Sequence, residues 1–240
     1  MAHSSWMDLH IQRWRGKPQL RYYYTREIFN RITKTVADDR TVVEVGCGPG
    51  FLRAHIRNLI CVDVEKGPAV TCLADATRLP FADSSVDAYV GIDVLHHFNN
   101  PDGFFQSASA SLKPSGKIVL VEPWAGPAGF LFYRFFHHED CHRLNTPFGP
   151  AFDAGKSAMD GNAMIPRQCL IEKHKSLERY GLRVESKTFF GSISYMLTGG
   201  FQSWGAPLWL IRMTVALESL LPPMIMRIFA IRMIVILQKI

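Results

Sequence analysis

The chain alternates between short apolar runs and longer stretches in which apolar residues recur at helical spacing. Helical spacing is clearest at 19–37, where Leu20, Tyr24, Ile28 and Ile32 fall on one face. Apolar runs that predict buried strands occupy residues 42–45, 59–64, 70–73, 88–92, 117–122, 182–190 and 231–239. Further helices are predicted at 51–57, 103–112 (with Asp102 as N-cap), 168–180 and 206–221. This alternation predicts a parallel sheet with right-handed crossovers.

A glycine-rich turn, EVGCGPG, follows the first apolar run at residues 44–50. Its three glycines permit a sharp strand-to-helix turn and let the backbone approach a ligand closely. Phe51 stands where a dinucleotide-binding G-x-G-x-x-G turn needs its last glycine, and the Gly-Lys-Ser/Thr of a phosphate-binding loop is missing. Glu44 lies inside the buried run, where a carboxylate is costly without a partner. The turn therefore predicts a cationic or N–H-rich ligand.

Acidic side chains follow the predicted strands at their carboxyl ends. Those at or near these positions are Glu44, Asp63, Asp75, Asp93 and Glu122. An acid at the tip of the second strand can accept hydrogen bonds from both hydroxyls of a ribose. Because ligands of open parallel sheets bind beyond the carboxyl ends of the strands, we expect these acids to surround one site.

From about Thr41 to Glu122 the chain resembles the class I S-adenosylmethionine (SAM)-dependent methyltransferases that act on small molecules. EVGCGPG is similar to the first motif of that family, and LPFADSSVDA to its L-P-F-x-D-x-S-F-D loop, with Val86 in place of Phe. IDVLHHFNNP and LKPSGKIVLVEP are similar to its fourth-strand exit and fifth-strand entry. The resemblance implies an α/β fold: a Rossmann-like seven-stranded sheet of five parallel strands and a terminal antiparallel pair, with helices on both faces and an inserted cap.

The same resemblance implies SAM as the cofactor and assigns residues to its parts. The methionine part would meet the glycine turn, the ribose the tip of the second strand, and the adenine the segment Ala74–Ala76. The residues so assigned are Glu44, Gly46, Cys47, Gly48, Gly50, Asp63, Val64, Asp75 and Ala76. Asp93 is expected to be a further hydrogen-bond acceptor on the cofactor side. Because SAM carries a sulfonium cation and no phosphate, no Lys or Arg cradle is expected.

We interpret residues 1–240 as a single methyltransferase domain. Its parts are a SAM-binding core at 18–123, substrate cap insertions at 124–165 and 195–229, and a final strand at 230–239. The insertions are apolar and aromatic, which favours methyl transfer to a small, hydrophobic or lipid-like acceptor. Two alternatives stay open: a non-catalytic protein of this fold that binds SAM or a partner, and a nucleotide-dependent oxidoreductase.

The candidate catalytic residues are His138, His142 and His97. His138 and His142 belong to the cluster HHEDCH and would share a helix face at i, i+4. Three interpretations of this cluster stay open: an acid–base or acceptor-orienting role, a solvated polar helix face, and a metal site. Of these we predict no metal site. His97 follows the fourth strand beside His96, where a turn or capping role competes with a role as base.

Charge and cysteine content indicate which partners and which redox environment the protein has. The net charge of +6 comes without dense basic blocks, zinc-finger spacing or RNA-binding aromatic motifs, so we expect no nucleic-acid partner. Five cysteines without a C-x-x-C pair predict a reducing, cytoplasmic environment, and the first ten residues lack an apolar signal core.

The apolar helix predicted at 206–221 has several interpretations. Arg212 and Glu218 within it argue against a membrane span. We interpret the helix first as a cover for the substrate pocket or a contact in a homodimer. The second interpretation is a peripheral membrane contact, assisted by Phe201, Trp204 and Trp209, which would make the protein membrane-associated.

Overall fold

The computed structural model describes residues 5–36, 41–137, 139–152 and 160–240. Its strands are β1 (Val42–Val45), β2 (Ile60–Asp63), β3 (Cys72–Leu73), β4 (Val86–Ile92), β5 (Leu112–Pro123), β6 (Leu182–Phe190) and β7 (Arg232–Lys239). They form one sheet in the order β3-β2-β1-β4-β5-β7-β6. β1 to β5 run parallel, and β7 runs antiparallel to both of its neighbours. The predicted seven-stranded sheet is confirmed.

Helices pack on both faces of this sheet. The α-helices are α1 (Ser5–Gly16), α2 (Pro18–Tyr23), α3 (Asn30–Thr35), α4 (Pro101–Ser111), α5 (Pro127–Phe136), α6 (Met164–Pro166), α7 (Ile193–Thr198), α8 (Leu208–Ser219) and α9 (Pro223–Phe229). The 3-10 helices are Phe51–Ala54, Ala76–Arg78, Leu95–His97 and His174–Tyr180, and the π-helical turns are Tyr24–Phe29 and Arg167–Glu172. The first π-helical turn joins α2 to α3, so the first long helix lies close to its predicted place.

The β-branched residues of β1 explain why this strand lies inside the sheet. Val43 and Val45 pack into a core on one face, and Val42 packs into a core on the other. All four residues of β1 are buried, so helices must cover both faces. α4 contributes to the first core and α2 to the second. Glu44 is thereby held at a fixed position near the carboxyl end of the strand.

Two local predictions are wrong. The helix predicted at 51–57 is only the 3-10 turn Phe51–Ala54, and Asn58, two residues before β2, has a left-handed φ of 59° that no helix continues through. The N-cap of α4 is Asn100, whose Oδ1 accepts a hydrogen bond from Gly103 N at 3.0 Å. Asp102 lies one residue inside the helix and accepts a hydrogen bond from Arg179 Nη2 at 2.6 Å.

The C-terminal third completes the sheet and shapes its outer edge. The apolar stretch 206–221 becomes α8, and α9 follows after Pro222. Ile211 of α8 is buried in the same core as α2. At the edge of the sheet, β6 exposes the charged side chains Arg183, Glu185 and Lys187.

Candidate active site

A cavity of about 1460 Å³ lies at the carboxyl edge of the parallel strands. The glycine turn after β1 and the ends of β2, β3 and β4 form one side, together with Trp6 and His10 of α1. Residues from both predicted cap insertions form the other side, among them Tyr133, Tyr195 and Phe201. One cavity therefore joins the region predicted for the cofactor to the region predicted for the acceptor.

The glycine turn brings backbone to the wall of this cavity. Gly46 and Gly48 both have left-handed φ, 64° and 50°. A Cβ on Gly46 would lie 2.2 Å from Val94 Cγ2, and one on Gly48 would lie 3.2 Å from the Trp6 ring, so the turn has little room for side chains. Gly50 has a packing role: it is outside the described lining of the cavity, and its Cβ would lie 2.1 Å from that of Ala69.

Glu44 places a buried carboxylate beside the turn. Its side chain lines the cavity, and its Oε2 has no hydrogen-bond partner among the described residues. Burial raises the pKa of Glu44 well above its usual range, and Cys61 and Asp63 add to this. A cationic ligand in the cavity would give Glu44 Oε2 a partner and would offset the free-energy cost of burying the carboxylate.

Asp63 and Asp75 use their carboxylates to fix the loops around the cavity. Asp63 accepts hydrogen bonds from Gly48 N at 2.8 Å and from Glu65 N at 3.0 Å. Asp75 accepts one from Thr77 N at 2.8 Å. Both acids line the cavity, and Val64, 55% exposed, adds an apolar surface between them. Asp63 therefore ties the β2 tip to the glycine turn.

Arg232 is the only Lys or Arg among the described residues that line the cavity. It is 1% exposed, and its Nη2 donates to both carboxylate oxygens of Asp93 at 2.8 Å. Asp93, predicted as an acceptor on the cofactor side, lines the cavity but is engaged by this ion pair. Because the pair neutralises Arg232, the acids Glu44, Asp63, Glu65 and Asp75 dominate the cofactor side electrostatically.

A cluster of imidazoles and carboxylates lies on the acceptor side. His96 Nδ1 is 2.7 Å from Glu122 Oε2, and His96 Nε2 is 3.3 Å from Glu139 Oε2. His97 Nε2 is 3.9 Å from Glu139 Oε1. His96, His97 and Glu139 line the cavity, whereas Glu122 is fully buried behind them. We call His96, His97 and Glu139 the His–Glu cluster.

The two imidazoles of this cluster differ in charge. Burial would lower the pKa of His96, but Glu139 and Glu122 outweigh it and raise that pKa to about 10. Burial, together with the adjacent His96, lowers the pKa of His97 to about 4. Burial opposes ionisation of Glu139, yet His96 and His97 lower its pKa to about 2. A neutral imidazole and a carboxylate therefore face the cavity at neutral pH.

The structure brings most of the predicted site residues to this one cavity. Those that line it are Glu44, Gly46, Cys47, Gly48, Asp63, Val64, Asp75, Ala76, Asp93 and His97. His142 is exposed and is not part of the described lining. His138 lies outside the described residues.

The helix assumed for HHEDCH does not form in its described part. α5 ends at Phe136, and Asp140 instead pairs with Asn162 in an isolated bridge. Asn162 N also donates to His96 O at 2.9 Å, which fixes this loop against the end of β4. Glu139 thus reaches the cavity. The sequence held a partial indication, since Glu139 is one of the two carboxylates inside the His-rich cluster.

Comparisons with known proteins show what the chain is similar to. Residues 43–120 match the family described as methyltransferase domain. This stretch of the chain is therefore similar to a methyltransferase domain. The match begins in β1 and ends in β5, so it includes the glycine turn and the Asp63 tip.

Curated relatives match less than half of the chain. An uncharacterized methyltransferase of Mycobacterium sp. (strain JLS) is 34% identical over 118 residues, and one of Mycolicibacterium gilvum (strain PYR-GCK) is 29% identical over 120 residues. Each match covers 43% of this chain and 47% of the relative. The chain therefore spans about half the length of these relatives.

Solved structures share the fold of the methyltransferase domain. A chain of the complex between the Haloferax volcanii Trm112 methyltransferase activator and a methyltransferase has a TM-score of 0.52 at 14% identity, covering 100% of this chain and 98% of that chain. An S-adenosylmethionine-dependent methyltransferase from Mesorhizobium loti has a TM-score of 0.50 at 14% identity, covering 88% and 96%.

SAM, the cofactor of such domains, fits the residues present. Its ammonium and sulfonium groups are cations, and Glu44 offers a buried oxygen without a partner. It has no phosphate, in keeping with a cofactor side that lacks a free Lys or Arg among the described lining residues. Glu44 and the glycine turn would hold the methionine part, and Asp63, Val64, Asp75 and Ala76 would hold the adenosine.

Proposed function

We propose that the chain transfers the methyl group of SAM to a small, apolar acceptor that bears a hydroxyl or amine. The observation that carries this proposal is the single cavity that links the Glu44 and glycine-turn side to the His–Glu cluster. SAM supplies an electrophilic methyl carbon, so the chain has to align the acceptor with it and remove the acceptor proton.

The His–Glu cluster suits acceptors that must lose a proton. The acceptor lone pair forms the new bond to the methyl carbon while the C–S bond breaks and its electrons return to sulfur. The proton released from the acceptor passes to the cluster, where His97 and Glu139 face the cavity. A protein that only bound SAM would have no need of such groups opposite the cofactor, which favours catalysis over the non-catalytic alternative.

The walls around the cluster favour an apolar acceptor. Aromatic side chains from three parts of the chain line this side, including Phe132, Tyr133, Tyr195 and Phe201. Leu131, Phe136 and Phe229 line the cavity and are also more than half exposed. A lipid-like molecule would bury these surfaces, whereas a highly polar substrate would leave them in water.

Transfer is tested with SAM labelled in its methyl group. We expect label to move from the aqueous phase into the organic extract when the full chain is incubated with SAM and a mixture of lipid-like alcohols and phenols. SAM binding should be measured by calorimetry on the same preparation. Tight SAM binding without transfer to any hydroxyl or amine acceptor would contradict the proposal and favour the non-catalytic alternative.

An apolar rim formed by α5 and α9 lies beside this cavity, which Leu131, Phe136 and Phe229 also line. Its exposed side chains are Leu131, Phe135, Phe136, Met224, Ile228 and Phe229. Arg134 and Arg227 are exposed on the same two helices. In the described part of the chain, no helix combines the length and apolar character required to cross a bilayer. An apolar surface that carries cations suits shallow contact with an anionic membrane.

We expect the full chain to float with anionic vesicles at low salt, and the double variant Phe135→Asp, Phe136→Asp to stay in solution. Each Phe loses about 1.5–3 kcal/mol of apolar burial, and each new carboxylate is repelled by the anionic surface. Ser186→Asp on β6 is the control, because it adds a charge outside the rim. Equal flotation of the double variant and the parent would exclude the rim as the contact.

A further inference from the structure

His96, His97 and Glu139 bring three metal-binding groups to one point of the cavity. One ligand atom from each lies within 4.8 Å of the others. We propose that the His–Glu cluster binds a divalent transition-metal ion, zinc by preference. This differs from the expectation of no metal site drawn from the sequence. What the ion does rests on the proposed function, but its binding rests on these side chains alone.

One distance within the cluster matches the edge of a tetrahedral site, and a second is slightly longer. Ligand atoms about 2.0–2.2 Å from a tetrahedral ion lie roughly 3.3–3.6 Å apart. His96 Nε2 is 3.3 Å from Glu139 Oε2, and His97 Nε2 is 3.9 Å from Glu139 Oε1. Small side-chain rotations would therefore be enough to place an ion between them.

Glu122 supports His96 as an outer carboxylate supports a metal ligand. Its Oε2 is 2.7 Å from His96 Nδ1, and its Oε1 accepts hydrogen bonds from Val94 N at 3.0 Å and Leu95 N at 2.7 Å. A carboxylate so fixed keeps a proton on Nδ1, so an ion that binds Nε2 would displace only the proton that faces Glu139. An imidazole that only formed a surface ion pair would not need this buried arrangement.

His97 has a nitrogen that the protein leaves unpaired. Its Nδ1 is buried and has no hydrogen-bond partner among the described residues. A simple chain of ion pairs, Glu122–His96–Glu139, satisfies His96, and a hydrogen bond with the Asp160 backbone satisfies part of His97. Coordination of an ion would in addition join both imidazoles and Glu139 in one site.

The donor set selects the class of ion. Two imidazoles and one carboxylate suit zinc and related transition metals, whereas calcium and magnesium prefer oxygen donors throughout. Three protein ligands leave a fourth position for a bound molecule, as in catalytic zinc sites. Because all three ligands line the cavity, that position faces the acceptor, and an ion there would lower the pKa of a bound hydroxyl.

Cobalt provides the test, because tetrahedral Co²⁺ absorbs visible light strongly and zinc competes for its sites. The full chain is stripped with a chelator and titrated with Co²⁺, then with Zn²⁺. We expect one equivalent of tetrahedral Co²⁺, displaced by zinc. Glu122→Gln should weaken binding by about 10–100-fold, and His97→Ala and Glu139→Gln by at least as much. His174→Ala, outside the described lining, is the matched control, and unchanged SAM affinity shows that each variant is folded.

No tetrahedral Co²⁺ spectrum in the parent, or equal binding by the parent and His97→Ala, would overturn the inference. Methyl transfer that persists in full after chelation would refute a role for the ion in catalysis, while leaving its binding and the proposed function standing. Conversely, one bound equivalent in a protein that transfers no methyl group would retain the ion site and refute the proposed function.

Discussion

Glu139→Gln should lower methyl transfer by about 10²–10⁴-fold while leaving SAM affinity unchanged. Glu139 lies 3.3 Å from His96 Nε2 and 3.9 Å from His97 Nε2, on the acceptor side of the cavity. Glutamine keeps the size of the side chain but removes its charge and its capacity to accept a proton. The loss is expected whether Glu139 acts on the acceptor proton itself or holds an ion that does. Single-turnover rates with labelled SAM, together with calorimetry, provide the measurement.

The control for this variant is Glu185→Gln, the same substitution on the exposed edge of β6. It should transfer methyl groups at the parental rate. Should Glu139→Gln retain parental turnover, the cluster would have no part in the chemistry, and alignment alone would have to account for it. A loss of SAM affinity in Glu139→Gln would instead indicate a role on the cofactor side.

Arg232→Met should lower the free energy of unfolding by about 3 kcal/mol. Removing one partner of a buried ion pair typically costs about 3–5 kcal/mol, and we expect the lower end because the Asp93 side chain is 30% exposed. Arg232 also lies over the Tyr195 ring, 4.7 Å from its centroid. Methionine retains the aliphatic packing but leaves the Asp93 carboxylate without its cation. Urea unfolding monitored by fluorescence measures the change.

A double-mutant cycle with Asp93→Asn separates the ion pair from packing. Asparagine is the appropriate partner, because residue 93 has a left-handed φ of 53°, which asparagine tolerates better than alanine does. The double variant should regain much of the stability lost in Arg232→Met. If Arg232→Met stayed within about 0.5 kcal/mol of the parent, the range expected of ordinary surface substitutions, the pair would not stabilise the fold.

The features that could be predicted from sequence are those that local patterns determine. Val42, Val43 and Val45 identify a buried strand. The glycines after them identify a tight turn whose backbone can approach a ligand. Asp63 could be placed at the cavity because it ends an apolar run that the sequence identifies as a strand, and ligands bind beyond the ends of such strands. Local signals were weaker at α4, where both Asn100 and Asp102 can cap a helix and the proline between them favours the earlier start.

The features that could not be predicted depend on contacts distant in sequence. Asn162 connects the loop of Glu139 to His96, and nothing near Glu139 indicates that connection. Spacing favoured His138 and His142 only if the cluster were helical, and α5 ends before it. Arg232 is part of a β-branched strand, and its partner Asp93 lies at the end of β4, beyond β5 in the sheet.

The charged edge strand β6 restricts how two copies of this chain can associate. If two β6 strands paired antiparallel about Glu185, each Glu185 would face its copy and each Arg183 would face a Lys187. Like charges directly opposite each other destabilise such pairing, so extension of the sheet is disfavoured. A homodimer that used the apolar rim instead would cover the surface proposed to contact vesicles. Self-association through the rim and membrane attachment would then compete, and the attached protein would be a monomer.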